Sequence, residues 1–190
     1  MLVVVNGREE LAQALRAAGC DVPQEPPPAF DALVFEPDLA AAVRTPIAET
    51  DEATWDARGE AVLRAALHAC QAAYAAMRER GGRIVIVTPT VGLVGGDGLA
   101  PFAMAVEGMR ALAKAAARQW GSDGITVNCV APSLDVLGIA QDAGGPVAPA
   151  LGRAPTMADL VAVVVSLLGD LGGSITGMTI TVDGGIVMVP

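Results

Sequence analysis

The sequence predicts an α/β protein, a parallel sheet with helices on both faces. Three observations carry this. Short continuous apolar runs such as "MLVVV" and "ALVF" alternate with longer stretches of helical period. The runs lack the alternating polar residues of a strand with one wet face, so both of their faces are buried. The longest apolar run of the chain, about residues 160 to 168 within a helical stretch, falls well short of the ~20 residues that span a bilayer.

Element by element, "MLVVV" is a strand that ends at Asn6-Gly7, and "REELAQALRAAG" follows with Leu11, Ala14, Leu15 and Ala18 at helical spacing, closed by Gly19. "CDV" begins like a second strand. "PQEPPPA", residues 23 to 29, then forms a stiff extended connector. A parallel crossover that contains a helix needs roughly 10 to 12 residues, so no helix fits there. "FDALVFE" is another buried strand. A helix is expected from Thr50, its N-cap, through about Arg80, with Asp51 and Glu52 favourably placed in its first turn. "GRIVIVTP" is a strand, 101 to 120 a helix, and "ITVNCVAP" a strand. A loop runs from about 138 to 155; Thr156 precedes the helix "MADLVAVVVSLLG", and "SITGMTITVDGG" holds the last strand. The expectation is one domain over residues 1–190, a Rossmann-like three-layer sandwich.

Composition narrows the partners. The chain has a net charge of −9 and a pI near 4.4, which argues against nucleic acid and against an anionic membrane surface, both of which need a basic footprint. Hydrophobic residues make up 53% and the mean hydropathy is +0.49. Either some surface is covered by another chain, or abundant alanine inflates the figure. Cys20, Cys70 and Cys129 are odd in number and widely spaced, so they read as small buried hydrophobes of a reducing compartment, with no metal-binding spacing. The expected location is the cytoplasm, since no charged region precedes the apolar start.

Two helices carry information beyond their period. Glu107, Arg110, Lys114 and Arg118 recur at spacings of 3, 4 and 4 and so fall in one polar stripe roughly 80° wide. Arg64, His68 and Gln71 make a similar narrow line on the helix before. The rest of each cylinder is small or apolar, enough to cover a sheet on one side and another helix on the other.

The stretch "GRIVIVTPTVGLVGGDGLAPFAMAVEGMRALAKAAARQWGSDGITVNCVAPS" resembles the short-chain dehydrogenase/reductase (SDR) superfamily, especially its acyl-carrier-protein reductase-like branch, and the likeness continues through "ITGMTITVDGG". The resemblance implies a Rossmann sheet that binds NAD(H) or NADP(H) and reduces ketones or oxidises alcohols. It also implies a Tyr-x-x-x-Lys pair, the tyrosine exchanging a proton and the lysine holding the nicotinamide ribose, with a serine and an asparagine completing the site. Those positions fall here on Phe102, Val106, Pro89 and Val62, all apolar. Of the glycine-rich turn that cradles pyrophosphate at a helix N-terminus, "NGREEL" keeps only Asn6 and Gly7, and Glu9 and Glu10 stand where they would repel a phosphate. Phe35-Glu36-Pro37-Asp38 replaces the family's Asn-Asn-Ala-Gly, and "PQEPPPA" replaces a helix and strand.

The resemblance therefore implies a sandwich shortened in its dinucleotide-binding half and a pseudoenzyme. No catalytic residue and no cofactor are expected in this chain; NAD or NADP would sit in a partner subunit. The partner is a paralogous SDR chain, or the chain itself, met through helices 53–80 and 101–119 and the C-terminal strand, as members of the family pair. Two alternatives stay open. A ligand-binding protein would use Thr88, Thr90, Asp97 and Ser133 beside a remnant cleft. An active oxidoreductase with rebuilt groups would need a proton donor, for which Tyr74 and His68 are the candidates.

Overall fold

The computed structural model describes residues 1–139 and 148–188; part of the predicted 138–155 loop lies outside them. The elements are β1 (Val3–Asn6), α1 (Glu9–Ala17), β2 (Ala32–Phe35), α2 (Glu52–Trp55), α3 (Ala61–Met77), β3 (Gly82–Val87), α4 (Val91–Val94), α5 (Ala100–Trp120), β4 (Ile125–Pro132), α6 (Met157–Leu168) and β5 (Thr179–Val182). All strands are parallel and lie in the order of the chain, β1 to β5. Every residue of β2 is buried, as are Ile84 to Val87 of β3, which is what unbroken apolar runs demand. α3 packs with α5, α1 packs with α6, and the two pairs take opposite faces of the sheet.

Strands that follow one another in chain order with crossovers of a single hand would put every helix on one face. Two connections depart from this: β4 to β5, whose helix α6 lies on the α1 face, and β1 to β2, through residues 18–31. After α1 the chain reaches the outer edge of β1, where Val3 N–H donates to the Asp21 carbonyl at 2.9 Å and Leu2 and Asp21 form one isolated parallel bridge. It then crosses the amino end of β1, and Asp31 N–H donates to the Leu2 carbonyl at 2.9 Å. The next ladder bond at that outer edge would need an amide from residue 23, and Pro23 has none. "CDV" is thus a single bridge and not a strand, and the connector holds no helix, as its length predicts. β1 sends its helix to one face and β2 sends α3 to the other, so the winding reverses between them, and the carboxyl ends of these two strands are where such a fold opens a crevice.

Helix ends follow local chemistry. The N-cap before α2 is Asp51, one residue beyond the expected Thr50: its carboxylate accepts the Thr54 N–H at 2.8 Å. A π turn over Asp56–Glu60 joins α2 to α3. Thr156 caps α6 as expected and forms a capping box, its N–H donating to the Asp159 carboxylate at 2.9 Å. Arg153 joins that carboxylate at 2.8 Å and, with the cap bonds, holds it well below the usual carboxylate range.

Candidate functional site

The reversal point is occupied by the chain's own side chains. Glu36, at the end of β2, is fully buried in its side chain and lies against the turn after β1. Its carboxylate accepts the Arg8 backbone N–H at 3.0 Å, the Arg8 Nε at 2.9 Å and the Arg8 Nη2 at 2.9 Å. The pairing raises the guanidinium further above its ordinary value. Arg8 Nη1 donates to the Leu137 carbonyl at 2.9 Å, so one residue ties the start of α1, the end of β2 and the 3-10 turn after β4. Gly7 leaves room for this, since a Cβ there would stand 2.7 Å from the Glu36 Cβ. Glu9 and Glu10 point to solvent, and Glu9 pairs with Arg16.

The four positions singled out by the family likeness are all interior. Phe102 is 1% and Val106 0% exposed, and Val62 and Pro89 are buried. α4 packs on α5, where Gly92 meets Val106. Of the cleft candidates, Thr88, Thr90 and Ser133 are buried, whereas Asp97 is exposed and faces Arg44 at 3.9 Å. Thr88, Thr90 and Ser133 lie together on the neighbouring segments that leave β3 and β4, and Asp97 stands apart on the surface. The threonine backbones extend the ladder, Thr88 N–H donating to the Val130 carbonyl and Thr90 N–H to that of Pro132, while the Thr88 and Ser133 hydroxyl oxygens are buried without a hydrogen-bond partner.

The expected polar stripe on α5 needs correction at one position. Glu107, Lys114 and Arg118 are exposed, but Arg110 is 4% exposed. Its Nη2 donates to the carbonyls of Thr88 at 2.6 Å and Pro89 at 3.0 Å, and its Nη1 pairs with Glu107. Burial brings the guanidinium down to about 10, so it stays charged at neutral pH. α4 covers the flank of α5 on which Arg110 lies, and Gly92 again makes the space, because a Cβ there would stand 2.7 Å from Arg110 Nη1. Arg110 is a strut beneath the segment that follows β3.

Neither substitute proton donor lies at the carboxyl ends. Tyr74 donates to Asp123 at 3.1 Å and stacks on Trp120 with ring centroids 4.9 Å apart. Asp123 precedes the first residue of β4, which places this cluster at the amino edge of the sheet. His68 is exposed on α3. Cys70 and Cys129 are buried and Cys20 is half-buried; burial pushes the Cys70 thiol up to about 12 and that of Cys129 up to about 11. Alkylation at pH 8 should therefore modify Cys20 well before the other two, with all three reacting after denaturation, as counted by intact mass. No group of three metal-ligating side chains occurs among the described residues, and none of their helices is long and apolar enough to cross a membrane. An apolar groove of about 590 Å³ lies elsewhere, bordered by Leu151, Pro155, Val163, Val182 and Met188, and includes none of the cleft candidates.

Residues 27–187 match a family model described as enoyl-(acyl carrier protein) reductase. The chain belongs to the short-chain dehydrogenase/reductase superfamily. Among its SDR relatives, the 3-oxoacyl-[acyl-carrier-protein] reductase FabG of Salmonella typhimurium is 36% identical over 121 residues, 60% of this chain and 50% of that protein. Nodulation protein G of Rhizobium sp. (strain N33) is 31% identical over 145 residues, 73% of this chain and 59% of that one. This SDR chain spans about half the length of these curated relatives. The fold also matches the crystal structure of acetoin dehydrogenase YohF from Salmonella typhimurium with a TM-score of 0.72 and 21% identity, covering 93% of this chain and 68% of that one.

SDR proteins normally bind NAD or NADP, and the residues at this reversal point do not fit that group. A pyrophosphate needs backbone N–H groups and positive charge that are free to receive it. The Arg8 N–H and guanidinium are already committed to Glu36, whose carboxylate would meet the incoming phosphate as a like charge.

Proposed function

We propose that this chain is a non-catalytic SDR subunit that assembles with an active SDR chain, stabilising it or shaping its substrate entrance, with NAD or NADP held by the partner. The observation that carries the reading is the set Val62, Pro89, Phe102 and Val106. These fill the family's asparagine, serine, tyrosine and lysine positions with side chains that neither ionise nor donate a hydrogen bond, and all four are packed inside. A hydride-transfer site needs an acid and a cation at those places.

The helices supply the surface. Ala61, Ala65, Ala72 and Ala75 are exposed on α3, and Ala111 and Ala115 on α5, small residues that let another helix approach closely. Charge is sorted along the same axis. Seven of the 12 Lys and Arg residues but only three of the 21 carboxylates lie between Ala61 and Trp120. Exposed Glu49, Asp51, Glu52, Asp56 and Glu60 cluster before α3, while exposed Arg78 and Arg80 follow it and Lys114 and Arg118 end α5. α3 and α5 run parallel, each being the crossover between neighbouring parallel strands. A partner bundle with the same sorting, laid antiparallel, would set acidic ends against basic ends.

Co-expression with SDR chains encoded near this one, followed by sizing of the purified complex, tests the reading. Recovery of the chain only by itself would count against a heteromeric partner. In a complex, Lys114→Glu with Arg118→Glu should weaken association by about tenfold or more, and analytical ultracentrifugation at two salt concentrations would show it.

A further inference from the structure

The reversal of winding between β1 and β2 opens a crevice at their carboxyl ends, and the chain fills it itself. Glu36 receives there three N–H bonds of 2.9 to 3.0 Å, one from the backbone at the start of α1 and two from a guanidinium. That is the donor set a helix N-terminus with a neighbouring arginine would offer a phosphate oxyanion. A buried carboxylate is costly unless it is fully paired, and an apolar side chain would fill the same volume without that cost. A tethered anion is also present at an effective concentration in the millimolar range or above, which no free dinucleotide need exceed. The remaining guanidinium nitrogen reaches the Leu137 carbonyl at 2.9 Å, and Leu137 lies on the turn that leads out of β4.

We propose that Glu36 is a built-in occupant of the SDR pyrophosphate seat, and that Arg8, oriented by it, clasps the turn Leu134–Leu137 over the carboxyl end of the sheet. The chain holds its crevice closed without a ligand. The clasp does not depend on any partner subunit, so it can fail while the assembly reading stands, and the reverse.

Amide hydrogen exchange on the full chain tests it. The Gly138 and Ile139 amides donate to the Asp135 and Leu134 carbonyls at 2.9 and 3.0 Å. In Glu36→Gln and in Arg8→Met these two should exchange at least about tenfold faster, the loss of charge-assisted bonds setting the scale, while the β3 and β4 amides keep their protection. If Arg8→Met fails to fold around its bare carboxylate, the double variant Arg8→Met/Glu36→Gln, which removes both charges, takes its place. Unchanged exchange at Gly138 and Ile139 in these variants would overturn the clasp. Titration of the unaltered chain with inorganic pyrophosphate and with NADPH, followed by calorimetry, should show no saturable binding; saturable binding of either would overturn the occupancy of the seat.

Discussion

Arg110→Met should lower stability by about 3 kcal/mol, because the Thr88 carbonyl is left unpaired inside the protein, at about 1 to 3 kcal/mol, and the Pro89 carbonyl, which keeps the Gly92 N–H at 3.2 Å, loses its charged donor. The exposed flank of Glu107 limits the cost, since its carboxylate can turn to water. For a chain of this size that loss corresponds to a melting point about 10 °C lower. Arg110→Lys keeps the charge but not the fork that serves two carbonyls and a carboxylate together, so it should fall between wild type and the methionine variant. Urea unfolding followed by circular dichroism gives both values. Had Arg110 been the solvated member of a polar stripe, its replacement would move the midpoint very little; a methionine variant within a degree or two of wild type would return it to the surface.

Arg110 also marks where the sequence stops being legible. Its spacing from Glu107, Lys114 and Arg118 is real, yet periodicity says only that residues share a flank of a helix, not what lies over that flank. The cover is α4, a four-residue turn after β3 whose sequence "VGLV" has too little length to display a period. The strands were legible because burial on both faces forces unbroken apolar runs, and the capping box of α6 because Thr156 must precede Asp159 by three. The connector at 23–29 was legible through length alone. Glu36 was visible as a departure from the family's pattern but not as an occupant. A signal for it existed: an arginine two residues after the first strand and a glutamate directly after the second, at the carboxyl ends of what are neighbouring parallel strands. Reading that pair required knowing that β1 and β2 are adjacent, and adjacency is a property of the whole sheet.

Rebuilding the family's pair should fail, and the manner of failure separates a site that is merely mutated from one that has been filled. Val106→Lys places an ammonium at a position with 0% exposure, beside Gly92 and beneath α4. The added methylenes alone cost about 1 to 3 kcal/mol in a packed interior, and the charge either remains unpaired or is lost through a depressed pKa. A total of at least about 3 kcal/mol is expected, again about 10 °C in melting temperature. Phe102→Tyr is milder, as it adds one hydroxyl to a 1% exposed ring, which must find a partner among the carbonyls nearby. The double variant should consume no NADPH with a ketone substrate at any concentration at which it remains folded, because a proton donor and a cation do not create a dinucleotide seat where Glu36 already holds Arg8. Turnover by Phe102→Tyr/Val106→Lys, with its melting point preserved, would mean that these positions still border an open site and that the packing of α4 against α5 yields to a cofactor.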